Sequence, residues 1–447
     1  MTSVAREKKL YIETYGCQMN VADSEVVTSI MSQEGYEVTG NMDQADLILV
    51  NTCSIRENAE QRVWGRLDVF RQVKEKHPNT KVGVIGCMAE RLKEKLLDRE
   101  KSVDLVLGPD AYRALPKLLE TVGSGQKGIN TILSKEETYG DIAPVRTDKN
   151  NLSAFISIMR GCNNMCSYCI VPFVRGRERS RDPETIHSEA CDLSRRGYRE
   201  VTLIGQNVDS YKWKNRENPK HFAGLLEQVA AIDPGMRVRF ATSHPKDLSD
   251  EVLKTMARYP NICRHIHLPV QSGSTRILKA MNRGYTREWY LNRIDAIRHH
   301  LPDAEITTDI MAGFCSETEE DHKETLSLME YASYDFAYMF KYSERPGTRA
   351  ARKMEDDVPE STKKHRLNEI ISLQNRISDT VKQKAIGKTF RVLVEGLSKK
   401  SDEEFTGRNS QNQVVVFPKN GVKPGEYVDV KIHSATPATL RGKIIKH

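Results

Sequence analysis

The sequence contains no uninterrupted apolar run long enough to cross a bilayer, and its mean hydropathy is −0.56. Its first residues, MTSVAREKKLYIETYG, lack the apolar core of a secretory signal peptide. These absences favour a cytoplasmic protein with no membrane partner. Low-complexity tracts are absent too, and 38% of the 447 residues are hydrophobic, so we expect folded domains.

Net positive charge is missing from most of the chain. The formal net charge is +7, and residues 381–447 hold the whole excess, with 13 basic and 6 acidic side chains. The preceding residues balance to zero. A basic segment on an otherwise neutral protein suits a phosphate-rich partner such as RNA.

A disulfide framework is a poor explanation for the cysteines. Their number, nine, is odd, and a reducing cytoplasm keeps thiols unpaired. Metal ligation is therefore the better hypothesis for cysteines that cluster.

The overall fold class is predicted to be α/β, in three segments with different hydrophobic periods. Residues 1–141 alternate short apolar runs with helical stretches, which predicts a domain with a parallel sheet. A polar linker is expected over residues 123–151. Residues 148–380 contain six more β–α repeats, which predict a partial (β/α)6 barrel of the TIM type. Residues 381–447 alternate with a period of two, which predicts a small antiparallel, OB-like β-barrel.

Three cysteines in the segment MRGCNNMCSYCIVP follow the first predicted barrel strand: Cys162, Cys166 and Cys169. Three thiolates on one loop can surround a [4Fe–4S] cube and leave one iron open to a small molecule. The alternative is a structural zinc with a distant fourth ligand. Zinc sites usually pair two Cys-x-x-Cys units, and no second unit lies nearby, so the spacing favours the cluster.

A second set, Cys17, Cys53 and Cys87, is dispersed in sequence, but each member comes directly after a predicted strand. Because the carboxyl ends of parallel strands share one edge of a sheet, three such loops can converge there. The alternative is three buried cysteines acting as small apolar residues. Their equivalent positions favour ligation. The other cysteines are expected to be structural: Cys191 in a helix, Cys263 at the start of a strand and Cys315 in a loop.

These motifs resemble the methylthiotransferase family of radical S-adenosylmethionine (SAM) enzymes over residues 8 to 447. The matching stretches include YGCQMNVADSE, NTCSIRENAEQRV, GCMAER, RGCNNMCSYCIVPFVRGRERSR and YSERPGTRA. The Cys-x-x-x-Cys-x-aromatic-Cys spacing, with Tyr168 at the aromatic place, is that of the radical SAM superfamily. The resemblance implies a methylthiotransferase domain, a radical SAM domain and a carboxy-terminal TRAM domain.

The resemblance also implies two [4Fe–4S] clusters and SAM as cofactors. The second cysteine set would hold the auxiliary cluster through which sulfur passes, and the set on the barrel loop would hold the radical SAM cluster. One SAM would supply the radical and another the methyl group. The implied reaction needs an electron donor and a sulfur donor, and we expect a monomer.

The stretches NTCSIRENAEQRV and GRNSQNQVVVF are similar to the branch that acts on N6-isopentenyladenosine at position 37 of tRNA, in the anticodon stem–loop. The product would be its 2-methylthio derivative. Other branches act on threonylcarbamoyladenosine or on an aspartate of a ribosomal protein. A non-catalytic iron–sulfur protein that binds RNA is the alternative of another class.

Weaker candidates surround these motifs. If the segment RGRERSR is extended, its four arginines project to one side. They would then contact the substrate or the SAM carboxylate, or the segment is a solvated charged strand. The arginines are Arg175, Arg177, Arg179 and Arg181. SAM contacts are also expected near strand ends, at Gln206, Ser243 and Asp309. One departure from relatives is Cys315 and Ser316 in GFCSET, where GFPGET is common, and it puts the shape of that loop in doubt.

Overall fold

The computed structural model describes residues 7–53, 57–147, 151–214 and 219–446. They form three units: a parallel α/β sheet, an open barrel of β–α repeats and a closed β-barrel. This is the α/β architecture predicted from the three hydrophobic periods. The predicted boundary at residue 148 lies outside the described residues.

The first unit is a six-stranded parallel sheet between two layers of helices. Its strands are β1 (Lys8–Tyr15), β2 (Tyr36–Val38), β3 (Leu47–Thr52), β4 (Lys81–Gly86), β5 (Leu105–Leu107) and β6 (Gly128–Asn130), in the order β2-β1-β3-β4-β5-β6. Its helices are α1 (Gln18–Gln33), α2 (Glu57–Lys76), α3 (Cys87–Leu92), α4 (Glu94–Arg99) and α5 (Leu115–Gly123). Every residue of β3 is buried, as expected of a parallel strand covered on both faces.

β6 lies where the sequence predicted a linker, so that part of the prediction is wrong. Gly128 pairs in parallel with Leu105 of β5. A strand of three residues is too short to show a period. A Cβ at Gly128 would lie 2.6 Å from Cγ of Leu118, so close packing of α5 favours glycine there.

The central unit has six parallel strands in two sheets. These strands are β7 (Ser153–Ser157), β10 (Glu200–Ile204), β13 (Arg237–Phe240), β14 (His265–His267), β15 (Glu305–Ala312) and β16 (Phe336–Lys341). Short antiparallel pairs are formed by β8 (Met159–Arg160) with β9 (Arg179–Ser180) and by β11 (Lys212–Trp213) with β12 (Lys220–His221). An isolated parallel bridge pairs Val238 of β13 with Ile262, three residues before β14, so the two sheets are neighbours in an open barrel as predicted.

Helices alternate with the strands of this unit, and most of them pack on the outside of the barrel. They are α6 (Val171–Arg175), α7 (Pro183–Arg195), α8 (Phe222–Ala230), α9 (Asp250–Arg258), α10 (Thr275–Ala280), α11 (Arg287–His300), α12 (Glu319–Ala332), α13 (Arg349–Lys353) and α14 (Glu360–Gln383). α7 begins where its sequence predicted, because the Asp182 carboxylate accepts a hydrogen bond from Glu184 N at 2.9 Å. None of the helices in the described ranges is long and apolar enough to cross a membrane.

The third unit is a closed five-stranded barrel. Its strands are β17 (Thr389–Ser398), β18 (Ser401–Arg408), β19 (Val414–Pro418), β20 (Tyr427–Ala435) and β21 (Leu440–Lys446). The sequence of β18, SDEEFTGR, is too polar to show the alternation from which a strand is predicted. The pairing is antiparallel except between β19 and β21, which pair in parallel where the barrel closes.

The closed barrel docks against the amino-terminal ends of the central strands. Arg239 of β13 donates to the carbonyl oxygen of Asn409 at 2.9 Å. Lys382 of α14 forms a buried ion pair with Asp335, and Gln413 donates to the same carboxylate at 3.0 Å. These contacts fix the basic barrel relative to the central one.

Replacing Asp335 by Ala should loosen this docking. The change leaves the Lys382 ammonium, whose side chain is 4% exposed, buried without its carboxylate. Removing one partner of such a pair costs roughly 3–5 kcal/mol. We expect faster cleavage between α14 and β17 in limited proteolysis. Asp303→Ala is the control because that side chain is 59% exposed, and equal cleavage of the two variants would contradict the docking role.

Candidate functional site

The first triad (Cys17, Cys53 and Cys87) stands at the carboxyl edge of the first sheet. Cys17 precedes α1, Cys53 follows β3 and Cys87 begins α3. β1, β3 and β4 end in register, so the residues that follow them are neighbours. Cys17 is exposed, whereas the other two are each 3% exposed. The structure therefore brings the three predicted side chains together.

Two buried amides hold the loops of the first triad. Asn20 Nδ2 donates to Asn51 Oδ1, and Asn51 Nδ2 donates to Asn20 O, both at 2.9 Å. Asn20 Oδ1 also accepts a hydrogen bond from Cys17 N at 3.2 Å. Gly86 packs against this pair with φ of +90°, and a Cβ there would lie 2.4 Å from Asn51 Oδ1. Sequence reasoning missed these asparagines, although each lies within three residues of a triad cysteine.

The surroundings of the first triad are electropositive. The hydrogen bond with Cys53, aided by the charge of Arg175, lowers the pKa of Cys17 to about 6. Arg175 Nε donates to Cys87 Sγ at 3.1 Å, although burial still raises the pKa of that thiol. Arg175 is 3% exposed, and its Nη1 has no hydrogen-bond partner among the described residues. A buried guanidinium with a free donor favours an anionic sulfur centre.

The second triad (Cys162, Cys166 and Cys169) lies on the loop after β8, at the top of the central barrel. Ser167 anchors the loop, since its N and Oγ donate to the carbonyl oxygens of Met281 and Ala280, both at 2.8 Å. Gly161 has φ of +76°, and a Cβ there would lie 2.0 Å from the carbonyl oxygen of Arg177. Glycine is therefore required directly before Cys162.

Arg283 faces the second triad as Arg175 faces the first. Its Nη1 donates to Cys166 Sγ and to the Tyr168 hydroxyl, both at 3.4 Å, and the residue is 5% exposed. Burial raises the pKa of Cys162 to about 11 and that of Cys169 to about 12. A bound metal would supply the positive charge that lets such thiols ionise. No sequence signal pointed to Arg283.

A buried ion network joins the loops of the two triads. Asp23 of α1 accepts a hydrogen bond from Arg160 Nη1 at 2.8 Å and lies 2.8 Å from Arg175 Nη2. Arg179 Nη2 donates to both carboxylate oxygens of Asp110, at 2.9 and 3.0 Å. Burial raises the pKa of Asp23, but the charges of Arg160 and Arg175 outweigh that effect and lower it overall. The first sheet and the central barrel are therefore joined through paired charges.

The expected face of alternating arginines is not formed. Arg175 ends α6, and Gly176 then turns the chain with φ of +69°. Arg179 and Arg181 are buried, and Arg181 pairs with Glu189 at 2.5 Å. Of the four, Arg177 is the exposed one. Neither sequence interpretation, a face that contacts substrate or the SAM carboxylate or a solvated strand, describes the three buried arginines, because they pair with carboxylates of the protein or with a thiol.

The residues expected to contact SAM lie in different places. Gln206 accepts a hydrogen bond from Gly161 N at 2.5 Å, so it supports the second-triad loop. Ser243 and Asp209 are buried next to each other, and burial raises the pKa of the Asp209 carboxyl to about 7, although a hydrogen bond from the Ser243 hydroxyl acts in the opposite direction. These groups follow β13 and β10, at the carboxyl edge where α/β folds bind ligands. Asp309 lies in the other half of the barrel, with its carboxylate 3.5 Å from His267 Nε2.

The remaining cysteines have structural surroundings. Cys191 lies in α7, Cys263 is buried before β14, and Cys315 is 2% exposed among aromatic side chains. Ser316 adopts φ of +65°, a conformation that glycine takes without strain. Its N donates to Asp357 at 2.6 Å and its O accepts from Arg276 at 2.6 Å. These bonds hold the loop in a shape that Gly would adopt freely.

The two triads differ from a site for a single ion. In the part of the chain that the structure describes, no three His, Cys, Asp or Glu side chains are grouped to hold one metal ion. A [4Fe–4S] cube binds each thiolate through a different iron, so its ligands stand farther apart. In each triad a buried arginine donates a hydrogen bond to one cysteine sulfur, which fits an anionic group at each of the two sites.

Three family models match the chain in the order of its units. The model described as "Uncharacterized protein family UPF0004" matches residues 9–108. The Radical SAM superfamily model matches residues 156–329, and the TRAM domain model matches residues 383–445. A radical SAM domain implies a [4Fe–4S] cluster and SAM.

Full-length relatives decide the family. A protein from Amoebophilus asiaticus is 59% identical over 456 aligned residues, which cover 99% of this chain and 94% of the relative. A protein from Bacteroides fragilis is 57% identical over 437 residues, covering 98% and 95%. Both are named tRNA-2-methylthio-N(6)-dimethylallyladenosine synthase. The chain belongs to this family.

Solved structures share the fold of the family at much lower identity. The radical SAM methyltransferase TsrM from Kitasatospora setae aligns with a TM-score of 0.59 and 14% identity, over 77% of this chain and 75% of that one. The cobalamin-dependent SAM radical enzyme OxsB aligns with a TM-score of 0.52 and 13% identity, over 83% of this chain and 56% of its own. These likenesses support the fold alone.

Replacing Asp23 by Asn should destabilise the protein. Two buried guanidinium groups lose their shared carboxylate, which costs roughly 3–5 kcal/mol. We expect a lower midpoint of thermal unfolding than for the wild type. Asp68→Asn is the control because that side chain is 58% exposed.

The difference between wild type and Asp23→Asn should also depend on pH. Because the pKa of Asp23 is lowered by folding, its stabilisation is complete above the ordinary carboxyl pKa. It is lost as pH falls through the lowered pKa, so the difference in midpoint should shrink in acid. Equal midpoints at neutral pH would contradict the role of the network.

Proposed function

We propose that this protein converts N6-isopentenyladenosine to 2-methylthio-N6-isopentenyladenosine at position 37 of tRNAs. One SAM would be the radical source and another the methyl donor, with sulfur delivered through an auxiliary cluster. The observation that carries the proposal is 59% identity, over 99% of the chain, to a protein named tRNA-2-methylthio-N(6)-dimethylallyladenosine synthase. The two cysteine triads give it a chemical basis.

The first triad would hold the auxiliary [4Fe–4S] cluster and the second triad the radical SAM cluster. When bound, these groups would supply the radical and the sulfur that protein side chains cannot. The chain itself positions and shields them. Asn20 and Asn51 fix the first set of loops, Ser167 anchors the second, and each buried arginine donates to a cysteine sulfur.

The closed barrel would bring the tRNA to this site. Residues 381–447 carry the excess of positive charge, and phosphate contacts supply much of the affinity of a protein for RNA. Arg239 and the Lys382–Asp335 pair fix this barrel to the end of the central strands opposite the cysteine loops. The buried Ser243 and Asp209 side chains are candidates to contact SAM, together with Gln206, Tyr168 and Asp309.

The direct test is nucleoside mass spectrometry. Reconstituted protein is incubated anaerobically with isopentenylated tRNA, SAM, sulfide and a reductant. We expect isopentenyladenosine to be converted to its 2-methylthio form, with release of 5′-deoxyadenosine. The control is the variant in which Cys162, Cys166 and Cys169 are Ala, which should form neither product.

Two results would contradict the proposal. Release of 5′-deoxyadenosine without a methylthio product would leave a radical enzyme with another substrate, such as threonylcarbamoyladenosine in tRNA or a ribosomal-protein aspartate. Absence of both products, with tRNA still bound, would instead favour a non-catalytic RNA-binding protein.

A further inference from the structure

Three large aromatic side chains on β16 face solvent. Phe336, Tyr338 and Phe340 are 43%, 49% and 44% exposed, while Ala337 between them is fully buried. Ala337 belongs to the same core cluster as Ile370 and Leu373 of α14, and Met339 packs against that cluster. Because side chains alternate along a strand, the three aromatics share the opposite face. Exposed apolar groups collected on one surface usually mark a binding site.

This face continues onto the neighbouring strand. Phe336, Tyr338 and Phe340 stand opposite Thr307, Asp309 and Met311 of β15. The Tyr338 ring contacts the Phe336 ring edge-on at 5.0 Å and the His267 ring edge-on at 5.8 Å. We call Phe336, Tyr338 and Phe340 the aromatic wall. The Tyr338 ring is therefore packed between two other rings, and Asp309 and His267 place hydrogen-bonding groups beside the wall.

The aromatic wall runs along β16 from the closed barrel towards the loop of the second triad. At its lower end, Asp335 is bound by Lys382 and by Gln413 of the closed barrel. At its upper end, Met311 packs in the same cluster as Tyr168 of the second triad's loop. β16 is also the last strand of its sheet, so the wall borders the open side of the barrel.

We propose that the aromatic wall binds the unpaired nucleotides around the tRNA modification site, with the prenylated adenine stacked on Tyr338. An enzyme that acts on a base must remove it from its stack, and single-stranded RNA is held by stacking on aromatic rings. A prenyl group gains from apolar contact with Phe336 or Phe340. The basic barrel at the foot of the wall suits the adjoining phosphates. This inference rests on the proposed function.

The test compares affinities for an isopentenylated anticodon stem–loop, measured by fluorescence anisotropy with the reconstituted full-length protein. Tyr338→Ala should bind about tenfold more weakly, which is the usual effect of losing one stacked base. Tyr338→Phe keeps the ring and should stay within about twofold. Tyr331→Ala is the matched control, because Tyr331 is 46% exposed on α12 and its hydroxyl bonds Asp295.

SAM binding and iron content are measured on the same samples, since the adenine of SAM is another base that could stack on the wall. Unchanged RNA affinity in Tyr338→Ala, or a loss of SAM affinity instead, would overturn the inference. If Tyr338→Ala loses iron, the RNA affinity of Tyr338→Leu is measured in its place, because leucine keeps the bulk of the side chain without the ring face. Wild type that converts no isopentenyladenosine contradicts the proposed function. Conversion by wild type with unchanged RNA affinity in the variants contradicts only the wall.

Discussion

The arrangement of the candidate site depends on one buried carboxylate. Asp23 lies between Arg160 and Arg175, at 2.8 Å from a nitrogen of each. Arg160 directly precedes the glycine of the second triad's loop, and Arg175 donates to Cys87 of the first triad. A charge buried at 1% exposure is stable only when it is paired. The pairing that stabilises the interface therefore also fixes the two cysteine loops relative to each other.

The two ends of the central barrel carry different groups. The carboxyl ends of its strands carry the second triad and the buried side chains of Ser243 and Asp209. The amino-terminal ends receive the closed barrel through Arg239 and Asp335. In the proposed function, a tRNA is bound near one end and modified at the other. The exposed aromatic side chains of β16 occupy the distance between them.

Sequence reasoning found the cysteines because each follows a strand or lies in a short motif, and it found the long strands because their hydrophobic period is clear. It missed β6, which has three residues, and β18, whose sequence is polar. It interpreted the arginines of RGRERSR as one face because a local period cannot reveal carboxylates contributed from far along the chain. Asp23 lies 137 residues before Arg160, and Arg283 lies 117 residues after Cys166. Contacts at such separations depend on tertiary packing, which no local pattern encodes.

We propose that the two cysteine triads hold separate [4Fe–4S] clusters, and iron counting after anaerobic reconstitution tests this most directly. The wild type should hold about eight irons per chain. Replacing either triad by alanines should leave about four, because the other cluster has its own ligands. Mössbauer spectra should show the remaining irons as one cubane. An unchanged iron count in either variant, or loss of all iron in both with the fold intact, would contradict two separate centres.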